Sequence, residues 1–241
     1  MSGKASNRAR RVAAEQLAKQ RAAERRRRAI VVSVIALAVL VLAAGIGVTF
    51  YLSNKPENVA LPRAATTTGL TVGKDTAPVT VDVYLDFQCP ICKTFEDESG
   101  KTLQKYVDEG VVKIAYHPVA YLDRFSSGTK YSSRSSAASG CASDAGKFPE
   151  FLTTLYANQP EEGGSGLTDA TMVSLAEKAG ITGDTFEKCV EDQKYADWTK
   201  SVTDEASKAG VNGTPTVKVN GTALESPTTA ALTAAVDAAR R

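Results

Sequence analysis

Histidine and methionine are nearly absent. His117 is the only histidine, and Met1 and Met172 are the only methionines. That scarcity removes the imidazole and thioether support that a copper carrier would draw on. Cysteine is limited to Cys89, Cys92, Cys141 and Cys189, with no recognisable zinc-site spacing. There is no internal repeat, and the only low-complexity stretch, Glu161-Glu162-Gly163-Gly164-Ser165-Gly166, reads as a loop. Charge is missing altogether from Ala29 to Leu52, a run of 24 residues.

That uncharged run is long enough to cross a bilayer with some tilt. It exceeds the apolar core of a cleaved signal peptide, and Leu61-Pro62-Arg63-Ala64-Ala65 makes a poor cleavage site. Ten Lys or Arg against two acids occupy residues 1–28. A basic block before a span puts the N-terminus in the cytoplasm and the bulk of the chain outside. The overall charge of +2 therefore averages two compartments; residues 29–241 alone carry about −6. The basic run is a topology signal, so no nucleic-acid partner is read into it. The expected organisation is a basic cytoplasmic segment (1–28), a transmembrane helix (29–52), a linker (53–65) and one extracytoplasmic domain (66–241).

Within that domain, Val79 to Leu85 is β-branched and alternating, a strand pattern. A helix follows from Pro90, well placed at a first helical position, to a stop at Gly110. Residues 111–116 form a second strand ending at His117-Pro118. Helical spacing recurs over 132–144, 148–157, 168–179 and 183–209. Two short strands, 215–219 and 222–224, flank Asn220-Gly221, a strong hairpin signal. Ser226 is the expected cap of a last helix over 227–239. The order is strand, helix, strand, helical block, hairpin, helix. That is an α/β, thioredoxin-like order with an all-helical insertion at about 125–195.

Between the first strand and its helix stands Cys89-Pro90-Ile91-Cys92. Two thiols three positions apart share a helix face and can close a small disulfide ring. The helix N-terminus favours a thiolate at the first of them. A Cys-x-x-Cys in this setting reads as a redox site. Cys89 is expected to be the exposed, attacking sulfur and Cys92 the buried, resolving one.

Three stretches carry a family resemblance: Gly73 through Ala77-Pro78-Val79, then Asp86-Phe87-Gln88-Cys89-Pro90-Ile91-Cys92, and Gly213-Thr214-Pro215-Thr216. From about residue 70 to 240 the chain resembles a DsbA-like thiol-disulfide oxidoreductase, of the membrane-anchored kind found in Gram-positive and actinobacterial envelopes. The resemblance implies that Pro215 is a cis-proline facing the two cysteines. It implies that Thr214 tunes the sulfurs, and that the adjoining backbone pairs with an extended substrate segment. Similar actinobacterial members carry a second disulfide, here Cys141–Cys189. A shuttle pair that passes electrons to Cys89 and Cys92 is the other reading of those two residues.

The family often has a buried acid six residues before the first cysteine. Here that position is Val83, leaving Asp82, Asp86 or water to take its place. His117 is either packed or close enough to support a thiolate. Phe87 belongs to the core or to a substrate groove, and Trp198 and Phe186 to the helical core.

The expected function is oxidation of the cysteines of exported proteins by a Cys89–Cys92 disulfide. The chain offers no flavin or quinone site of its own and no cofactor is expected. A quinone-linked membrane partner of the DsbB or vitamin K epoxide reductase type would recycle it. The alternatives are a disulfide reductase or isomerase and, from a different class, a copper metallochaperone.

Overall fold

Valines at alternate positions build the central strand. In β2 (Val79–Leu85), Val79, Val81, Val83 and Leu85 are buried, and the residues between the valines are only half-buried. This is the period-2 pattern of a strand with one apolar face. β3 (Val112–Pro118) pairs with it in parallel, with Val83 opposite Tyr116 and Leu85 opposite Pro118. β4 (Thr216–Val219) pairs on the other side, antiparallel, with Val83 opposite Val217 and Tyr84 opposite Thr216. Short edges complete a five-stranded sheet of order β1-β3-β2-β4-β5, where β1 is Leu70–Val72 and β5 is Thr222–Ala223.

This computed structural model describes residues 26–28, 37–45 and 59–240. The chain divides into two compact units, 1–58 and 59–241. In the first, residues 37–45 are helical and expose Leu37, Leu40, Val41 and Leu42. No helix among the described residues is long and apolar enough to cross a membrane. Most of the predicted cytoplasmic segment and transmembrane helix, and the first part of the linker, lie outside the described residues.

In the second unit the helices are α1 (Pro90–Asp108), α2 (Tyr131–Asp144), α3 (Phe148–Ala157), α4 (Asp169–Lys178), α5 (Asp184–Glu191), α6 (Ala196–Lys208) and α7 (Thr229–Ala239), with a 3-10 turn at Asp123–Phe125. The 3-10 turn and helices α2 to α5 form the insertion between β3 and α6. Phe151 and Phe186 meet edge to face in its core, and Trp198 is fully buried.

Four details differ from expectation. The predicted helix over 183–209 is two helices. Gln193 adopts a left-handed φ of 49°, and the turn presents Tyr195 to α2, where its hydroxyl donates to Asp144 Oδ2 at 2.5 Å. The last helix is capped by Thr228, whose hydroxyl accepts from Ala231 N, with Ser226 and Pro227 before it. Residues 59–65 of the predicted linker are laid on the domain: Arg63 N donates to Asp144 Oδ1 at 2.9 Å, and Ser143 Oγ donates to Arg63 O. β1 escapes the sequence reading because three residues are too few to show a period; Trp198 Nε1 supports the turn before it by donating to Thr66 O at 2.9 Å.

Candidate active site

β2 delivers the chain to the N-terminus of α1 through Asp86-Phe87-Gln88. All three residues are essentially fully buried. Cys89 is the N-cap of α1, with extended φ and ψ of −77° and 117°, and Pro90 follows at the first helical position. The cap contact is made by sulfur: Cys92 N donates to Cys89 Sγ at 3.4 Å. An orphan helix amide thus points at the sulfur that would carry charge.

Cys89 and Cys92 are free thiols, and both are buried, at 5% and 2% exposure. The expectation of an exposed Cys89 is corrected by the loop before β4. Thr214 covers the sulfur, with its carbonyl 3.4 Å from Cys89 Sγ, and the Thr214–Pro215 peptide bond is cis. Cys89 opens into a groove of about 330 Å³, lined by Pro90, Ile91, Tyr121, Leu122 and the Asn212–Thr214 loop. Ile91 stands at the surface, 65% exposed.

The two thiols are electrostatically unequal. The hydrogen bond from Cys92 holds the Cys89 pKa down to about 6, against the upward push of burial, with help from the Thr214 side chain and the Cys92 and Ile91 amides. The Thr214 carbonyl contact favours the protonated thiol, so the helix-end donors outweigh it. Burial pushes the Cys92 thiol well above its ordinary value, and the neighbouring Cys89 adds to the shift. One sulfur therefore stabilises a thiolate and the other holds a proton.

Behind them lies Asp86, fully buried at the end of β2. Its Oδ1 accepts from Gln88 N at 2.9 Å and Ser132 Oγ at 2.7 Å, and its Oδ2 from Leu122 N at 3.0 Å. Its carbonyl accepts from Cys89 N at 3.0 Å, and its backbone also hydrogen-bonds Cys92. Burial raises the carboxyl pKa to about 6 despite these donors, and the charge on Cys89 raises it further. Val83 is buried in the sheet opposite Val217. Asp82 is turned to His117, whose Nε2 lies 3.1 Å from Asp82 Oδ1 and whose Nδ1 lies 2.5 Å from Thr68 O. His117 also stacks on Tyr84, so it is packed near the end of β3. Of the two acids that could stand in for Val83, Asp86 is the one at the thiols.

Several residues here escaped the sequence reading. Gln159, two residues past the end of α3, donates to both Phe87 O and Cys89 O at 2.9 Å. Gln88 Nε2 donates to Phe125 O at 2.8 Å, and Tyr156 OH to Asp86 O at 3.2 Å. Apart from Gln88, they come from the insertion and carry no motif; Gln88 stood within the quoted stretch without an assigned role. Phe87 is core, packed on Tyr156.

Cys141 in α2 and Cys189 in α5 form a disulfide, both residues buried. Among the described residues, no group of three or more His, Cys, Asp or Glu could hold a metal ion.

The chain is similar to known proteins. The family described as Thioredoxin matches residues 65–238. The probable disulfide bond formation protein D of Bacillus anthracis is 27% identical, over 85% of this chain and 92% of its own. The disulfide bond formation protein D of Bacillus subtilis is 28% identical, over 62% of this chain and 66% of its own. Reduced DsbA from Mycobacterium tuberculosis is 32% identical, with a TM-score of 0.61 over 72% of this chain and 98% of that one. The chain belongs to the thioredoxin family, as a DsbA-like thiol-disulfide oxidoreductase.

Proposed function

We propose that this thiol-disulfide oxidoreductase is a membrane-anchored oxidase that donates its Cys89–Cys92 disulfide to exported proteins. The carrying observation is the opposed pair of thiols: Cys89 is held down to about 6 while Cys92 is pushed up. A dithiol whose attacking sulfur rests as a thiolate is stabilised in its reduced form. Its disulfide is correspondingly oxidising.

The residues then act in sequence. A substrate thiolate attacks Cys89 Sγ, the Cys89–Cys92 bond breaks, and Cys92 leaves and takes up a proton. A second substrate thiolate attacks the substrate sulfur of the mixed disulfide and expels Cys89 as a thiolate, a good leaving group at its low pKa. Two electrons pass to the protein. Asp86 is a positioning residue in this scheme: its backbone holds both cysteines, and its carboxyl titrates near neutrality within the same buried cluster. Recycling requires a partner that removes two electrons, and a quinone-linked membrane protein fits that need.

The anchor rests on the uncharged run from Ala29 to Leu52 and the basic block before it. Protease protection in spheroplasts tests it: the C-terminal domain should be cut from outside. The reduction potential of Cys89–Cys92 tests the direction of electron flow. A value towards the roughly −120 mV of a strong oxidant supports the oxidase, and one near the roughly −270 mV of thioredoxin makes the chain a reductant. Cys92→Ser should trap mixed disulfides with exported proteins; recovery of none counts against the oxidase.

A further inference from the structure

The groove over Cys89 is lined by uncharged and charged residues. Asn212, Gly213 and Thr214 are among the uncharged ones. The charged ones are Arg124, from the 3-10 turn after β3, and Glu162, from the loop between α3 and α4. Neither has an ion-pair partner among the described residues.

Both are mounted on supported backbone. The Arg124 guanidinium lies over the Phe125 ring at 4.7 Å. The loop of Glu162 is tied down by Ser127 Oγ donating to Gly163 O at 3.0 Å and Thr129 Oγ1 donating to Ser165 O at 2.6 Å. Gly166 presses on Tyr131 at a φ of +70°, where a Cβ would lie 2.3 Å from the ring. Only a glycine fits there. The loop is therefore seated, and the sequence's low-complexity stretch becomes part of the groove wall. Unpaired charges in a concave site act along the groove on whatever enters it.

An extended segment that lays its backbone against Gly213 and Thr214, with its cysteine at Cys89, shares the groove with Arg124 and Glu162, which two separate segments supply. We propose that Arg124 and Glu162 set substrate specificity, so that the groove favours cysteine segments with an acidic residue on one side of the cysteine and a basic residue on the other, in one order. This rests on the oxidoreductase reading and names its substrate class.

The test uses the reduced full chain and three peptides activated as thionitrobenzoate mixed disulfides: Glu before and Lys after the cysteine, the reverse order, and Ala on both sides. Cys89 thiolate attacks the peptide sulfur and the coloured thiolate leaves. Cys92 then expels the peptide thiol, which takes up the Cys92 proton. Surface ion pairs of ordinary strength predict that one order reacts about fivefold faster at low salt. That preference should shrink towards one in about 1 M salt. The double variant R124E/E162K should reverse the order. Equal rates for the two orders at low salt, a preference that survives high salt, or an unchanged preference in the double variant would each overturn the proposal. The salt series needs no variant, so it decides the matter even if R124E/E162K fails to fold. The alanine peptide separates the two levels: no reaction with it overturns the oxidoreductase reading itself.

Discussion

The chain holds two cysteine pairs built to opposite ends. Cys89 and Cys92 lie three residues apart at the start of α1, unbonded, beneath a loop that leaves a groove open to Cys89. Cys141 and Cys189 lie 48 residues apart on two helices of the insertion and are closed into a disulfide. Burial does not distinguish them, since all four residues are below 9% exposure. The difference lies in what surrounds the sulfur. Both pairs border a groove, but Cys89 has a helix-end amide at its sulfur, while Cys141 and Cys189 are bonded to each other across α2 and α5. Reactivity here is a property of position within the fold.

The comparison breaks most sharply on substitution. Cys89→Ser should abolish disulfide exchange with a dithiol peptide, while C141S/C189S should retain it. Conversely, C141S/C189S should cost about 4 kcal/mol of stability by the chain-entropy estimate for a loop of this length. Denaturant unfolding of the two variants checks both halves. Loss of exchange in C141S/C189S at a temperature where it is folded would make that pair a shuttle.

Asp86→Asn should flatten a pH dependence. A carboxyl raised from 3.8 to about 6 on folding favours the native state below pH 3.8, and that contribution is lost as pH rises to 6. The span corresponds to about 3 kcal/mol. Unfolding free energies measured from pH 4 to 7 should therefore slope more steeply downward in the parent protein than in the variant. The variant's Cys89 should also titrate lower, with one opposing charge removed.

Cys89 itself carries the opposite sign. Its thiol is depressed from 9.0 to about 6. It therefore stabilises the reduced protein fully above pH 9, and that stabilisation is lost as pH falls to 6. Thiolate absorbance or alkylation rate should show a midpoint near pH 6, and the Cys141–Cys189 pair should contribute nothing to it. A midpoint near 8.5 would remove the electrostatic difference between Cys89 and an ordinary thiol. The smallest effect belongs to Thr214→Val, which deletes one favourable contact to the thiolate. The midpoint should rise by a fraction of a unit and the potential should become slightly more reducing.

Most of the sheet and helices were legible because their signals are local. Valine alternation marked β2, Asn220-Gly221 marked the hairpin, and α3 matched its predicted limits from Phe148 to Ala157. The failures were where neighbours decide. A left-handed Gln193 split one long helix, and contacts from Asp144 and Ser143 docked residues that read as linker.

At the site the division is the same. Adjacency in sequence was enough to determine the Cys89-Pro90-Ile91-Cys92 motif, its place at a helix start and the inequality of its two thiols, because a helix terminus acts over one turn. Adjacency could not say that Thr214 would bury Cys89, that Gln159 would hold its carbonyl, or that Asp86 rather than Asp82 would lie behind the thiols. Those depend on which elements meet at the end of β2. Desolvation and long-range hydrogen bonds exist only once β4 and the insertion have closed over that end.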